Sequence, residues 1–157
     1  VYWNQGAGTW LDGPVTSDCF RLIEPVPTAE AIPSWAPHFA HFDSVVGYSS
    51  LGHAFLANLD TGDYAILYPY RAGATGYGPF VSVWEFADQV LTEPRFADFV
   101  LRPDHVSDIC DHLGPLDTGQ VYAAHPFPFQ GGDETPDSYQ RADLWSFLDS
   151  VAHAHGL

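Results

Sequence analysis

The sequence predicts an α+β fold, an antiparallel β-meander with a helical segment packed on it. Three observations point there: β-rich runs crowd residues 45–70, the apolar period turns helical from Val83 onward, and strands therefore precede most of the helices. With 46% hydrophobic residues in 157, the chain has enough apolar side chain for a compact core.

The elements come in this order. Residues 1–20 mix aromatics with glycine, and Cys19 to Ile23 reads as a short strand. "EPVPTAEAIPSWAP", Glu24 to Pro37, holds four prolines; each fixes φ and removes a donor, so a connector packed down by Ile32 and Trp35 is expected rather than a long regular element. "VVGYSS", "HAFLANL" and "YAILYPY" read as strands separated by Leu51-Gly52 and by the turn sequence "DTGD" at Asp60 to Asp63. "RAGATGYG", residues 71–78, is expected to be a glycine-rich loop.

Helical spacing then takes over. Val83, Phe86, Ala87, Val90 and Leu91 share a face behind Ser82, an N-cap residue. Pro94 opens a second short helix with Phe96, Phe99, Val100 and Leu101 on its apolar side, and Pro103 opens a third. In the third, Val106, Ile109, Cys110 and Leu113 face inward and Gly114 ends the helix. "GQVYAAH", Gly119 to His125, returns as a strand, and Gly131-Gly132 turn the chain toward a last helix, Ala142 to His155. There Leu144, Trp145, Leu148, Val151 and Ala152 recur at helical spacing before Gly156.

Charge narrows the function classes. The chain carries 20 Asp and Glu against 5 basic residues, all arginine, for a formal net charge of -15. Such a surface repels nucleic acid phosphates and anionic membranes and attracts basic partners. No stretch reaches the length of an apolar membrane span, and no basic-then-apolar segment opens the chain. Methionine is absent, which predicts that the native start is missing. Cys19 and Cys110 show no metal or redox spacing and read as small buried hydrophobes of a reducing compartment, with a disulfide as the alternative.

Glycines do not make a phosphate site here. "FQGGDETPDSY" has no lysine and sets Asp133, Glu134 and Asp137 where phosphate would lie, and "GATGYG" follows a hairpin with only Arg71 nearby. No cofactor is expected. His105, Asp108 and His112 fall on one helix face, so a metal-dependent hydrolase is a rival reading, against the plainer one of a solvated face. His38 and His41 sit beside proline, and His153 and His155 suit the C-terminus of the last helix as cations. Ser49, Ser50 and Ser82 lie in no nucleophile motif, so the chain is not expected to be an enzyme.

Carboxylates are dense between Glu85 and Asp111, where Glu85, Asp88, Glu93, Asp98, Asp104, Asp108 and Asp111 face only Arg95 and Arg102. Since the apolar faces of these helices are already assigned, the charges must meet solvent or a cationic partner. A solvated face that keeps the protein dispersed explains most of them equally.

"HLGPLDTGQVYAAHPFPFQGG" followed by "RADLWSFLDSVAHAHG" resembles the C-terminal domain of immunity proteins paired with type VI secretion DNase effectors. In that family a GPL turn, a strand, a proline-containing apolar segment and GG precede a final helix. "VVGYSSLGHAFLANLDTGDYAILYP" is similar to that domain's opening hairpin, and "YWNQGAGTWLDG" with "FRLIEPV" resembles the tail of a GAD-like domain. "AAHPFPFQ" departs from the family's glycine and small aliphatics by bringing in His125 and two phenylalanines. The resemblance implies a truncated GAD-like region over residues 1–44 and an immunity-type domain over 45–157, with one continuous globule as the alternative. It also implies a cytoplasmic protein that neutralises a secreted toxin, expected to be a DNase, by binding it. The expected contact set joins the acidic residues Asp98, Asp104, Asp108 and Asp111 to Tyr77 and Phe80 from the glycine-rich segment. A ligand-sensing adaptor is the remaining alternative.

Overall fold

The computed structural model describes residues 19–157. The aromatic and glycine-rich opening, residues 1–18, lies outside them.

A five-stranded antiparallel sheet runs in simple sequence order, β1 (Phe20–Pro27), β2 (Ser44–Ser49), β3 (Ala54–Asn58), β4 (Asp63–Tyr68) and β5 (Gly73–Pro79). The meander is therefore as expected, with a strand added at one edge and a longer strand at the other. At the first edge, β5 corrects the glycine-rich loop: Gly73, Ala74, Thr75 and Gly76 pair with Tyr68, Leu67, Ile66 and Ala65. Glycine offers no side-chain pattern to read, yet its backbone pairs on an exposed edge as well as any other. At the opposite edge β1 continues past Ile23 to Pro27, with a register shift between Leu22 and Val26. Pro25 and Pro27 are tolerated because an edge strand has one side without ladder partners. Val26 pairs with Val45, so β1, which precedes residue 45, belongs to the same sheet as β2 to β5.

Both faces of the sheet are covered, which is why β3 and β4 read as continuous apolar runs. Alternate residues diverge: Ala54, Leu56, Ala65 and Leu67 enter one core with Trp35, Leu148 and Val151, whereas Phe55, Ala57, Tyr64 and Ile66 enter another with Phe86, Leu91 and Phe96. The connector contributes as expected through Ile32 and Trp35, after a single helical turn α1 (Thr28–Ala31). Trp35 is wholly buried and its indole N–H donates to Leu148 O at 2.9 Å, tying the connector to the last helix.

The helical layer begins with α2 (Val83–Phe86), which widens into a π-helical turn over Ala87–Leu91. Ser82 caps it as expected, its Oγ accepting from Glu85 N at 3.2 Å, while the Glu85 carboxylate accepts from Val81 N. Next, α3 (Pro94–Phe96) widens likewise over Ala97–Leu101, where Arg102 N reaches Ala97 O. The wider turn alters which residues face inward: Phe96 and Leu101 are buried, but Phe99, expected on the apolar side, is 79% exposed. Then α4 (Pro103–Leu113) packs Val106 and Ile109 against Tyr122 and Tyr139.

Strand β6 (Gln120–Ala124) pairs with β7 (Tyr139–Asp143), and α5 (Leu144–His155) comes directly after. The last helix thus starts at Leu144 rather than Ala142, because Asp143 caps it by accepting from Ser146 N at 2.9 Å. Cys19 and Cys110 are not joined in a disulfide, and both are half-buried rather than buried.

Gly52, in the turn between β2 and β3, has φ +94°, and a β-carbon there would strike the Phe147 ring. Gly52→Ala is expected to cost about 3 kcal/mol through left-handed strain and that collision, read as a lower urea midpoint at unchanged slope.

Candidate functional site

Asp98, Asp104, Asp108 and Asp111 are all exposed. Asp98 stands in the widened turn of α3; Asp104, Asp108 and Asp111 are spaced by four and three along α4, which places them on one face. Among the described residues none of the four forms an ion pair. Their field is therefore directed outward without local neutralisation.

Tyr77 and Phe80 sit differently from the expected exposed anchors. The Tyr77 hydroxyl lies 2.8 Å from that of Tyr68 and its ring meets Phe96 edge-on, while Phe80 packs on Tyr64 and Phe86. Both are half-buried parts of the core beneath the helical layer. The exposed large apolar residues of the helical layer are instead Phe99, next to Asp98 in sequence, and Val81, at 79% and 92%. Periodicity hides Phe99 because it falls at a helical core position that the widened turn swings outward.

His105, Asp108 and His112 do not converge. His105 turns inward, its Nε2 3.0 Å from the Tyr139 hydroxyl, and among the described residues no group of three or more His, Cys, Asp or Glu is placed to hold a metal. His155 likewise does more than sit at a helix end: its Nε2 donates to Pro69 O at 2.8 Å and its ring stacks on Phe129.

Two cavities flank the start of the last helix of this layer, one walled by α4 itself and one by the α3–α4 junction. One, of about 550 Å³, lies between β1 and α4, and Arg21, Cys110 and Asp111 are in its wall, as is Cys19, the first described residue. The other, of about 410 Å³, lies under Phe99 and holds chemistry that motif spacing did not reveal. Four separate segments build it. The turn after β2 supplies His53, the 3-10 turn after β4 supplies Arg71, the α3–α4 junction supplies Arg102, and the β6–β7 segment supplies Glu134 and Tyr139.

Its polar groups form an ordered chain. Arg102 Nη1 donates to Glu134 Oε1 at 2.9 Å, and the Tyr139 hydroxyl donates to the same oxygen at 3.2 Å. Because that hydroxyl spends its proton on Glu134, it accepts from His105 Nε2. Burial first, then the nearby carboxylate and Tyr70, push the Tyr139 phenol well above its usual range. Arg71 lies over the Tyr68 ring, 4.1 Å from its centre. Desolvation, reinforced by Arg71 and then Arg102, lowers His53 from 6.5 to about 4, so its imidazole is neutral at pH 7.

The fold is similar to that in the crystal structure of Atu4351 from Agrobacterium tumefaciens, with a TM-score of 0.62 at 16% identity over 87% of this chain and 67% of that one. At that identity the likeness speaks to the fold alone. No protein-family model matches the chain, and no curated protein matches it in sequence. Among the described residues no helix is long and apolar enough to cross a membrane.

His53 gives a pH signature. The unfolded chain binds its proton near 6.5 and the folded chain resists until about 4, so stability falls as pH drops through that window. The loss is about 3 kcal/mol by pH 4. Denaturant melts of wild type and His53→Asn, which keeps an acceptor for Ser49, should diverge at pH 7 and converge toward pH 4.

Proposed function

We propose that this chain is an immunity-type protein of the cytoplasm that binds and neutralises a cognate secreted toxin, a DNase, by covering its DNA-binding or catalytic surface. The observation that carries the reading is the face of carboxylates on α4, Asp104, Asp108 and Asp111, without an ion pair among the described residues, together with Asp98 and the exposed ring of Phe99 in the widened turn that precedes it. A DNA-handling surface is cationic, and carboxylates set along a helix substitute for the phosphates it would otherwise hold. Charge alone gives fast encounter rather than lasting attachment, and a large apolar side chain beside the acids supplies the desolvated anchor. The motif resemblance over residues 45–157 supports the same reading.

In this mechanism the chain performs no chemistry. Long-range attraction steers the toxin onto the acidic face, Phe99 is buried on contact, and the nucleic acid is displaced from the surface it needs. Tyr77 and Phe80 act from below, holding the helical layer to the sheet.

The product of the neighbouring open reading frame is the partner to test. Its DNA-cleaving activity in a bacterial host should be suppressed by co-expression of this chain; persistent cleavage without complex formation would refute the reading. In stopped-flow mixing, Asp104→Lys with Asp108→Lys should slow association about tenfold at low salt, and added salt should erase the difference. Phe99→Ala should act on dissociation instead, weakening the complex by about 1–2 kcal/mol. Unchanged rates in the charge-reversed protein would remove the acidic face from the mechanism.

A further inference from the structure

The 410 Å³ cavity is unlike the rest of the molecule in sign. The chain has 5 cationic side chains against 20 carboxylates, and two of those cations, Arg71 and Arg102, line this one hollow. Arg102 is held by Glu134, whereas Arg71 has no carboxylate partner among the described residues. One positive charge is left over at the cavity wall.

His53 adds a directed donor. Ser49 is wholly buried, and among the described residues its hydroxyl has one available acceptor, His53 Nδ1 at 2.7 Å, since the other contact of that oxygen is with the donating His53 backbone N–H. A buried hydroxyl proton must be used, so Ser49 donates to Nδ1 and the imidazole proton resides on Nε2. Among the described residues that N–H has no acceptor, and His53 lines the cavity.

Backbone geometry singles out the same place. The described non-glycine residues with left-handed φ are Ala72, Arg102 and Glu134, at 52°, 52° and 58°. Arg102 and Glu134 are cavity wall, and Ala72 adjoins Arg71. Such conformations cost free energy and persist where the surroundings fix a required side-chain position.

We propose that this cavity is a binding site for a small organic oxyanion, a carboxylate or phosphate carried on a flat apolar body. The acid group lies against the Arg71 guanidinium and the His53 Nε2–H, and the body lies against Tyr70, Phe99 and Val100. A guanidinium already held over the Tyr68 ring can offer its N–H groups to an oxyanion at little further ordering cost. The net charge of -15 disfavours anions overall, so selective capture at this hollow depends on Arg71, which no carboxylate holds among the described residues, and on the His53 N–H. The volume suits a ligand of one ring and one acid group. The site shares Phe99 with the proposed toxin-facing surface, but ligand binding by the free chain does not rest on that reading.

Calorimetric titration of the full chain tests it, in phosphate-free buffer at low salt, with benzoate and phenyl phosphate against acetate and inorganic phosphate. One of the two aromatic acids should saturate at one per chain and bind more tightly than its bare counterpart; which one does so assigns carboxylate or phosphate. Arg71→Gln, an exposed change that leaves the melting temperature near that of wild type, should weaken it about tenfold. Nitrogen NMR should place the free-state His53 proton on Nε2. Absence of saturable binding by both aromatic acids, equal binding by Arg71→Gln, equal binding of the bare acid, or a proton on Nδ1 would overturn the proposal. No toxin enters the measurement, so its outcome is separate from that of the toxin assays.

Discussion

Strands β3 and β4 are buried on both sides, and the remaining architecture answers to that constraint. A strand sends successive side chains to opposite faces, so Phe55 and Ile66 demand one cover while Leu56 and Leu67 demand another. The helical layer meets the first demand through Phe86, Leu91 and Phe96. The connector and the C-terminal β6–β7–α5 unit meet the second through Trp35, Leu148 and Val151. Neither cover is dispensable, because exposing either face returns a contiguous apolar surface to water.

Covering both faces with different segments creates junctions, and the chemistry collects at them. The α3–α4 junction places Arg102 beside the β6–β7 segment, where Glu134 and Tyr139 stand, and the turn after β2 brings His53 to the same region. Polar groups at such a seam need partners, and the succession His105 to Tyr139 to Glu134 to Arg102 satisfies each in turn. Through it, α4, β7 and the preceding loop are fastened by directional bonds as well as by apolar contact.

Phe99 belongs to both surfaces of interest. It comes next to Asp98 in the acidic stretch and it borders the arginine-lined cavity. Its exposure comes from the widened turn over Ala97–Leu101, which keeps Phe96 and Leu101 inside while turning the residue between them to solvent. One exposed ring is therefore next to Asp98 in sequence and part of the same cavity wall as Arg71 and Arg102.

By itself the sequence determined the meander, the capped start at Ser82, the proline-opened helices and the outward acids, because alternation, capping and proline geometry are local properties. Trp35 and Ile32 were legible too, being large apolar residues in a segment with no regular period. Only tertiary structure decided that the glycines of β5 pair as an edge strand, since backbone pairing leaves no trace in side chains. It also turned Tyr77 and Phe80 inward, because β5 pairs with β4 and brings them against Tyr68, Tyr64 and Phe86, and turned Phe99 outward, a choice that depends on a backbone widening helical periodicity does not contain. The cavity was beyond reach for a related reason: His53, Arg71, Arg102 and Glu134 come from four distant segments, and no spacing rule links residues that meet only when two covers close over one sheet.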